Sequence, residues 1–170
     1  MTVTDVRKDP TALTMTIASE WDAPIVRVWQ LWADPRKLER WWGPPTYPAT
    51  VVEHDLRPGG KVTYFMTSPE GEKHHGWWEV VAVEEPHRLD IHDGFADAEG
   101  NHNEAMPTTQ STVTFAELPT GATRMLIETR FPSPEAMAKL VEMGMEEGLT
   151  AAMGQIDAIL AAEAKAPART

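Results

Sequence analysis

The chain has 170 residues, no cysteine and a formal net charge of −11 at pH 7, and 42% of its residues are hydrophobic. Length and hydrophobic content suit one folded domain, while the missing cysteine excludes disulfides, thiol catalysis and thiolate metal sites. No basic stripe could neutralise phosphates and no run approaches the ~20 apolar residues of a membrane span, which argues against nucleic-acid and membrane partners.

The N-terminal part is predicted to contain one strand and two short helices. Residues 1–10 are polar, so we expect a flexible N-terminus, and they lack the apolar segment of a secretion signal, so we expect a cytoplasmic protein. Residues 13–21 alternate between apolar and polar side chains, which predicts a strand. Short helices are predicted over residues 25–33 and 36–42, where Gly43 and two prolines end the second one.

Six more strands are predicted in the middle of the chain. They cover residues 50–56, 61–67, 74–83, 88–95, 109–118 and 122–131, and glycine- and proline-containing turns separate several of them. Residues 96–107 are polar and predict a mobile loop. The element order is therefore β-α-α-β×6-α, which indicates an α+β fold with an antiparallel sheet.

Residues 134–162 predict one long amphipathic helix. Ser133 is suited to cap it and Pro134 to begin it, and apolar residues then recur at helical spacing. Gly144 and Gly148 lie on its predicted buried face, where each costs roughly 1 kcal/mol relative to alanine. Two missing side chains indicate either a close approach by another backbone or a cavity. Residues 163–170 are expected to form a flexible tail.

Short motifs along residues 11–162 resemble those of one superfamily. They include Trp21-Asp22-Ala23-Pro24, Trp41-Trp42-Gly43-Pro44, Asp55-Leu56-Arg57-Pro58-Gly59-Gly60 and Pro86-His87-Arg88-Leu89. The chain resembles the START-like or SRPBCC superfamily, with its birch-pollen-allergen-like helix-grip fold, and within it the homologues of the heat-shock-protein-90 ATPase activator. The resemblance implies a curved antiparallel sheet that grips the C-terminal helix around an internal cavity. It implies no single reaction, because members bind small molecules or proteins and some are enzymes.

Cross-strand pairing predicts which side chains face that cavity. A four-residue turn at residues 68–71 pairs Tyr64 with His75 and Val62 with Trp77. Alternation continues this face through the other strands and yields an apolar, aromatic and methionine-rich pocket, as is typical of small-molecule sites. The predicted ligand-contacting residues are Val62, Tyr64, Met66, His75, Trp77, Phe95, Phe115, Met125, Gly144, Met145, Gly148 and Leu149.

Three polar residues on this face are candidates for catalysis. If Glu79 and Asp93 are buried together, one pKa rises and the pair could act as general acid and base, with His75 as a further proton carrier. The alternative is that His75 is a hydrogen-bonded structural residue and that one carboxylate faces solvent. No metal or cofactor is expected, because there is no cysteine and no histidine pair has helical i, i+4 spacing.

Three functions stay open at this point. Binding of a small apolar or aromatic molecule is favoured, because two glycines on the helix face an aromatic and methionine-lined sheet. The resemblance adds interaction with a heat-shock-protein-90-type chaperone, and the polar candidates add a cyclase- or hydrolase-like enzyme. Either a monomer or a homodimer fits the sequence.

Overall fold

The computed structural model describes residues 3–165 of the chain, and within them one antiparallel sheet packs against helices. The strands are β1 (Val3–Asp9), β2 (Thr14–Trp21), β3 (Ala49–His54), β4 (Lys61–Thr67), β5 (Lys73–Glu84), β6 (Arg88–Phe95), β7 (Thr109–Glu117) and β8 (Thr123–Arg130). The helices are α1 (Ile25–Ala33), α2 (Pro35–Trp41), α3 (Pro134–Glu142), α4 (Met145–Met153) and α5 (Ile156–Lys165). The strand order is β1-β2-β8-β7-β6-β5-β4-β3, and it confirms the predicted α+β helix-grip class.

The N-terminal residues form a strand that the sequence analysis did not predict. Residues 3–9, expected to be flexible, pair antiparallel with β2 as the edge strand β1. An edge strand needs partners on one side only and little apolar surface, so its polar composition concealed it. Within this strand, Val3 and Val6 are partly buried against the core.

A tryptophan cluster joins α1 and α2 to the sheet. The ring of Trp32 lies 4.9 Å from Trp41, 5.7 Å from Trp42 and 5.8 Å from Trp78 between centroids. Its indole N–H also donates to the sulfur of Met125, with 3.3 Å between the two atoms. Close aromatic pairs of this kind add to the stabilisation from burial alone. The cluster fills the interior beneath α1 and α2 and holds Trp42 against β4 and β5.

The hairpin of β4 and β5 has a register one residue away from the predicted one. Tyr64 pairs with Gly76 and Val62 pairs with Trp78, because the loop contains three residues instead of four. Ser68 and Glu72 close that loop through a backbone hydrogen bond of 2.8 Å, and Gly71 adopts a φ of +88°. A glycine in the left-handed region is the usual end of a three-residue hairpin loop. A register shift of one residue moves every side chain of a strand to the other face of the sheet. The predicted inward residues His75, Trp77 and Glu79 therefore belong to the opposite face.

The predicted C-terminal helix is divided into three consecutive segments. Gly144 has a φ of +89° and separates α3 from α4, because that left-handed conformation cannot continue a helix. The second break follows Met153, where the side-chain amide of Gln155 donates to the backbone oxygens of Gly43 and Trp41 at 2.7 and 3.3 Å. Part of the predicted flexible tail is helical, since α5 reaches Lys165, and residues 166–170 lie outside the described residues.

The two glycines of this region should respond to alanine in opposite ways. Gly148 lies inside α4, and a methyl group added to it would meet no atom within 4 Å, so Gly148→Ala is expected to stabilise the protein by up to ~1 kcal/mol. Gly144→Ala is expected to destabilise it by ~1 kcal/mol, because alanine resists a positive φ. Urea unfolding of both variants tests this, and changes of the same sign would contradict the structure.

Candidate ligand-binding cavity

A partly open cavity of about 330 Å³ lies between the inner face of β4–β7 and the helices α3 and α4. Its walls are mainly apolar and include Met66, Phe95, Leu140, Met145 and Leu149. Small-molecule sites in proteins commonly have volumes of ~300–1,000 Å³ and walls of this composition. The cavity therefore has the size and the lining of a site for a small organic molecule.

The two glycines of the helical region both border this cavity. A methyl group placed on Gly148 would meet no atom within 4 Å, and one placed on Gly144 would meet only the Glu147 carboxylate, at 3.8 Å. No backbone approaches either position closely. Of the two explanations offered by the sequence, the cavity is the one that the structure supports.

Polar groups meet at one end of the cavity, where β4 and β6 bring Tyr64 and Asp93 together. Tyr64 is buried, at 8% exposure, and its ring lies directly over Gly76 on the neighbouring strand. Any side chain at position 76 would collide with that ring and its hydroxyl. Asp93 is partly buried, and its backbone oxygen accepts a hydrogen bond of 3.4 Å from the Thr109 hydroxyl. The glycine in β5 thus makes room for the tyrosine that faces Asp93.

Burial governs the protonation of this pair. Burial raises the pKa of Asp93 to about 7, and the hydrogen bond from Tyr64 only partly opposes that effect. The pKa of Tyr64 lies well above its usual value, mainly because of burial and next because of the negative charge on Asp93. Near neutral pH, part of the Asp93 population is therefore still protonated, unlike an ordinary aspartate.

Two indole N–H groups lie near the Tyr64 hydroxyl. The influence of Trp42 and Trp78 lowers the pKa of Tyr64, yet neither indole nitrogen reaches a hydrogen-bond partner among residues 3–165. Buried polar groups without partners are uncommon, because losing water without a replacement costs ~1–3 kcal/mol.

The structure brings most of the predicted site residues to the cavity. Those that line it are Tyr64, Met66, His75, Phe95, Gly144, Met145, Gly148 and Leu149, together with the catalytic candidate Asp93. The inward direction of Asp93 and Phe95 follows from the buried residues Leu89 and Ile91 on the same strand. For these residues alternation in β6 was a sufficient guide.

Three predicted ligand contacts are core residues instead. Val62, Phe115 and Met125 face inward but lie away from the cavity, with exposures of 0%, 3% and 0%. Phe115 packs edge-on against Trp29 at 5.5 Å between ring centroids. Their prediction as lining residues was wrong because α1, α2 and the tryptophans fill the space in front of them.

The altered hairpin register overturns the inward direction of three further candidates. Trp77 is buried on the opposite face, where its indole donates to the Phe95 backbone oxygen at 3.0 Å and its ring lies 4.7 Å from that of His102. Glu79 is exposed, so it cannot form an acid–base pair with Asp93. His75 shares the outer face with Phe65 and only borders the cavity beside His74.

Sequence reasoning missed several lining residues. Trp42 and Tyr47 reach the cavity from the segment around the end of α2, and His74 reaches it from β5. Tyr47 and Met143 are 37% and 56% exposed and form part of its rim. The available signal was the Trp42-Gly43-Pro44 motif, together with Gly76, because a glycine inside a strand often marks a close approach by another group.

Metal ligands and membrane spans are two further features that bear on function. Among the described residues, no three His, Asp or Glu side chains come close enough together to hold a metal ion. Nor do residues 3–165 contain a helix with the length and apolar character needed to cross a membrane.

Comparisons with known proteins place the chain in a family. Residues 22–161 match the family model described as "Activator of Hsp90 ATPase homolog 1-like protein". Protein Ms6760 from Mycobacterium smegmatis, known from a crystal structure, is 52% identical; the match covers 93% of this chain and 96% of that one, with a TM-score of 0.86. A protein from Arthrobacter aurescens, solved by NMR, is 49% identical over 94% of this chain and 92% of its own, with a TM-score of 0.90.

More distant structures share the fold. A protein from Rhodobacter sphaeroides is 23% identical, with a TM-score of 0.78 over 93% of this chain and 99% of its own. No curated protein sequence matches this one. The family model covers most of the chain, and the helix-grip architecture agrees with the START-like superfamily. The chain therefore belongs to the family of Activator of Hsp90 ATPase homolog 1-like proteins, within the START-like superfamily.

Proposed function

We propose that this protein binds a small, largely apolar molecule in the cavity between the sheet and the helices α3 and α4. The observation that carries the proposal is the partly open cavity itself, with about 330 Å³ of space bordered by apolar and aromatic side chains and a few polar groups at one end. Burying an apolar molecule there gains ~25 cal/mol for each Å² removed from water. Tyr64 and Asp93 would orient the bound molecule.

The energetics of α4 support a role for the empty space. Gly148 weakens the helix by roughly 1 kcal/mol relative to alanine, although alanine would fit. A position that is destabilised and yet has room for a side chain is typical of a functional site. Its glycine keeps the cavity open beneath the helix.

The rim is suited to admitting a ligand. Met143 and Met145 lie on either side of Gly144, at the break between α3 and α4, and both border the cavity. Methionine side chains are flexible and polarisable, so they adapt to molecules of different shapes. Tyr47 forms the opposite part of the rim from the segment before β3.

Titration with N-phenyl-1-naphthylamine, a neutral probe whose fluorescence rises in apolar surroundings, tests the proposal. We expect a saturable increase, and at a free concentration 100 times Kd the free energy of unfolding should rise by ~2.7 kcal/mol. The same titration in denaturing urea provides the control. A linear, unsaturable signal with no gain in stability would contradict ligand binding in the cavity.

The family's name favours a second candidate function, interaction with an Hsp90-type chaperone. A pull-down with the chaperone and a measurement of its ATPase rate test this role, and no effect in either assay would remove it.

We do not propose the cyclase- or hydrolase-like function. Its predicted carboxylate pair is not formed, because Glu79 is exposed on the outer face of the sheet whereas Asp93 lines the cavity. The cytoplasmic location and the choice between monomer and homodimer stay predictions.

A further inference from the structure

The charge inside the cavity is unbalanced. Among the described residues that line it there is no lysine or arginine, and Asp93 is the only carboxylate. None of the ion pairs found within residues 3–165 includes Asp93. Ionised carboxylates in apolar surroundings are normally paired, because an unpaired buried charge is costly. When Asp93 is ionised, no lysine or arginine among the described lining residues balances its charge.

Hydrogen bonding leaves part of this carboxylate available. The Tyr64 hydroxyl faces Asp93, and the indole N–H groups of Trp42 and Trp78, which reach no hydrogen-bond partner within residues 3–165, lie near the same hydroxyl. Because Asp93 is partly exposed to the cavity, its remaining hydrogen-bonding capacity is open to a ligand.

Three aromatic rings line the same cavity as that carboxylate. Trp42, Tyr47 and Tyr64 all line the cavity, and the rings of Trp42 and Tyr64 lie 6.0 Å apart between centroids. The faces of aromatic rings attract cations, most strongly where water is excluded. One carboxylate among aromatic rings is the chemistry that recognises an organic ammonium group.

We propose that the ligands of this cavity are small aromatic or alicyclic amines, whose ammonium group is bound by the Asp93 carboxylate among the rings of Trp42 and Tyr64. The proposal rests on the function proposed above, that the cavity binds an apolar molecule. The apolar part of the amine occupies the space beneath Gly148, between Met145 and Leu149. The net charge of −11 favours the approach of cations.

Other groups near the cavity have limited influence on Asp93. Tyr64 on β4 is the titratable group that contacts it, and His74 and His75 on β5 border the same cavity. From β7, Thr109 contributes a neutral hydroxyl, while α3 and α4 contribute no charged side chain to the lining within the described residues. A raised pKa of about 7 means that binding of an amine should strengthen between about pH 6 and pH 8, as Asp93 ionises.

Calorimetric titration with a matched pair of probes tests the proposal. At pH 8 the wild-type chain should bind 1-naphthylmethylamine, a cation, at least about tenfold more tightly than the neutral 1-naphthalenemethanol of nearly the same shape. Asp93→Asn should abolish this preference. Glu79→Gln removes an equal charge from the exposed outer face and should retain it. Far-UV circular dichroism checks that both variants are folded.

The outcomes separate this inference from the function on which it rests. Equal binding of the two probes, a preference that survives in Asp93→Asn, or tighter amine binding at pH 6 than at pH 8 would overturn the amine class while cavity binding stands. The last result would assign a ligand that accepts a hydrogen bond from protonated Asp93. If neither probe binds and N-phenyl-1-naphthylamine also fails, cavity binding and the amine class are both overturned.

Discussion

At pH 8 the Asp93→Asn variant is expected to be more stable than the wild-type chain by up to about 4 kcal/mol, whereas at pH 4 the two should differ by less than about 1 kcal/mol. The folded protein holds the Asp93 proton with a pKa of about 7, while the ordinary value is 3.8. At pH values between these two pKa values, the folded state retains a proton that the unfolded state has released. Wild-type stability therefore falls as pH rises from about 4 to 7 and is lowered by a constant amount above that range.

Urea unfolding at about pH 4, 6 and 8 measures this effect. The asparagine side chain cannot ionise, so the variant lacks the fall in stability that Asp93 causes. All other groups are common to both proteins, so their contributions cancel in the comparison. Glu79→Gln is the control, because Glu79 is exposed, and its difference from wild type should stay small at each pH. A difference for Asp93→Asn that does not depend on pH would show that Asp93 is not buried as described.

Gly148→Leu should weaken binding of N-phenyl-1-naphthylamine by about 100-fold, which corresponds to about 2.7 kcal/mol. The space in front of Gly148 is free within 4 Å, so a leucine there extends into the volume that a ligand would occupy. The folded protein should tolerate the change, because leucine favours helix and gains apolar contacts in the cavity. Fluorescence titration measures the affinity, and urea unfolding measures the stability.

Ala151→Leu is the matched control for that variant. Ala151 is an exposed residue of the same helix and does not border the cavity. The substitution adds a larger apolar side chain to α4 without entering the cavity, so the affinity for the probe should be unchanged. Equal affinities of Gly148→Leu and the wild-type chain would place the probe elsewhere on the protein.

Much of the fold could be predicted because turns and alternation act locally. The succession of strands β2 to β8 along the chain follows from apolar alternation interrupted by glycine and proline. The register of one hairpin could not be derived with the same certainty, because residues 68–71 fit either a three-residue or a four-residue loop. The left-handed conformation of Gly71 forms the shorter loop. In the resulting register Trp78, instead of Trp77, faces the core.

The site could be predicted where the pattern within a single strand or helix sufficed. Asp93 was placed correctly because Leu89 and Ile91 fix the inward face of β6. Whether an inward residue borders a cavity or fills the core depends on elements far away in the sequence. Phe115 lies beneath α1, and for this reason its prediction as a lining residue was wrong. The helical spacing of apolar residues continues across Gly144, so the sequence pattern gave no sign of the break between α3 and α4. That break shows only in the positive φ of Gly144.

The most direct test of ligand binding in this cavity is an NMR titration of the chain carrying ¹³C-methyl methionine, with N-phenyl-1-naphthylamine as the probe. Met66, Met143 and Met145 border the cavity, whereas Met15 and Met153 are buried in the core, with exposures of 1% and 0%. We expect saturable shifts of the three cavity methyl groups, with the two core methyl groups little changed. Unchanged cavity methyl groups in the presence of saturating probe would contradict ligand binding in this cavity.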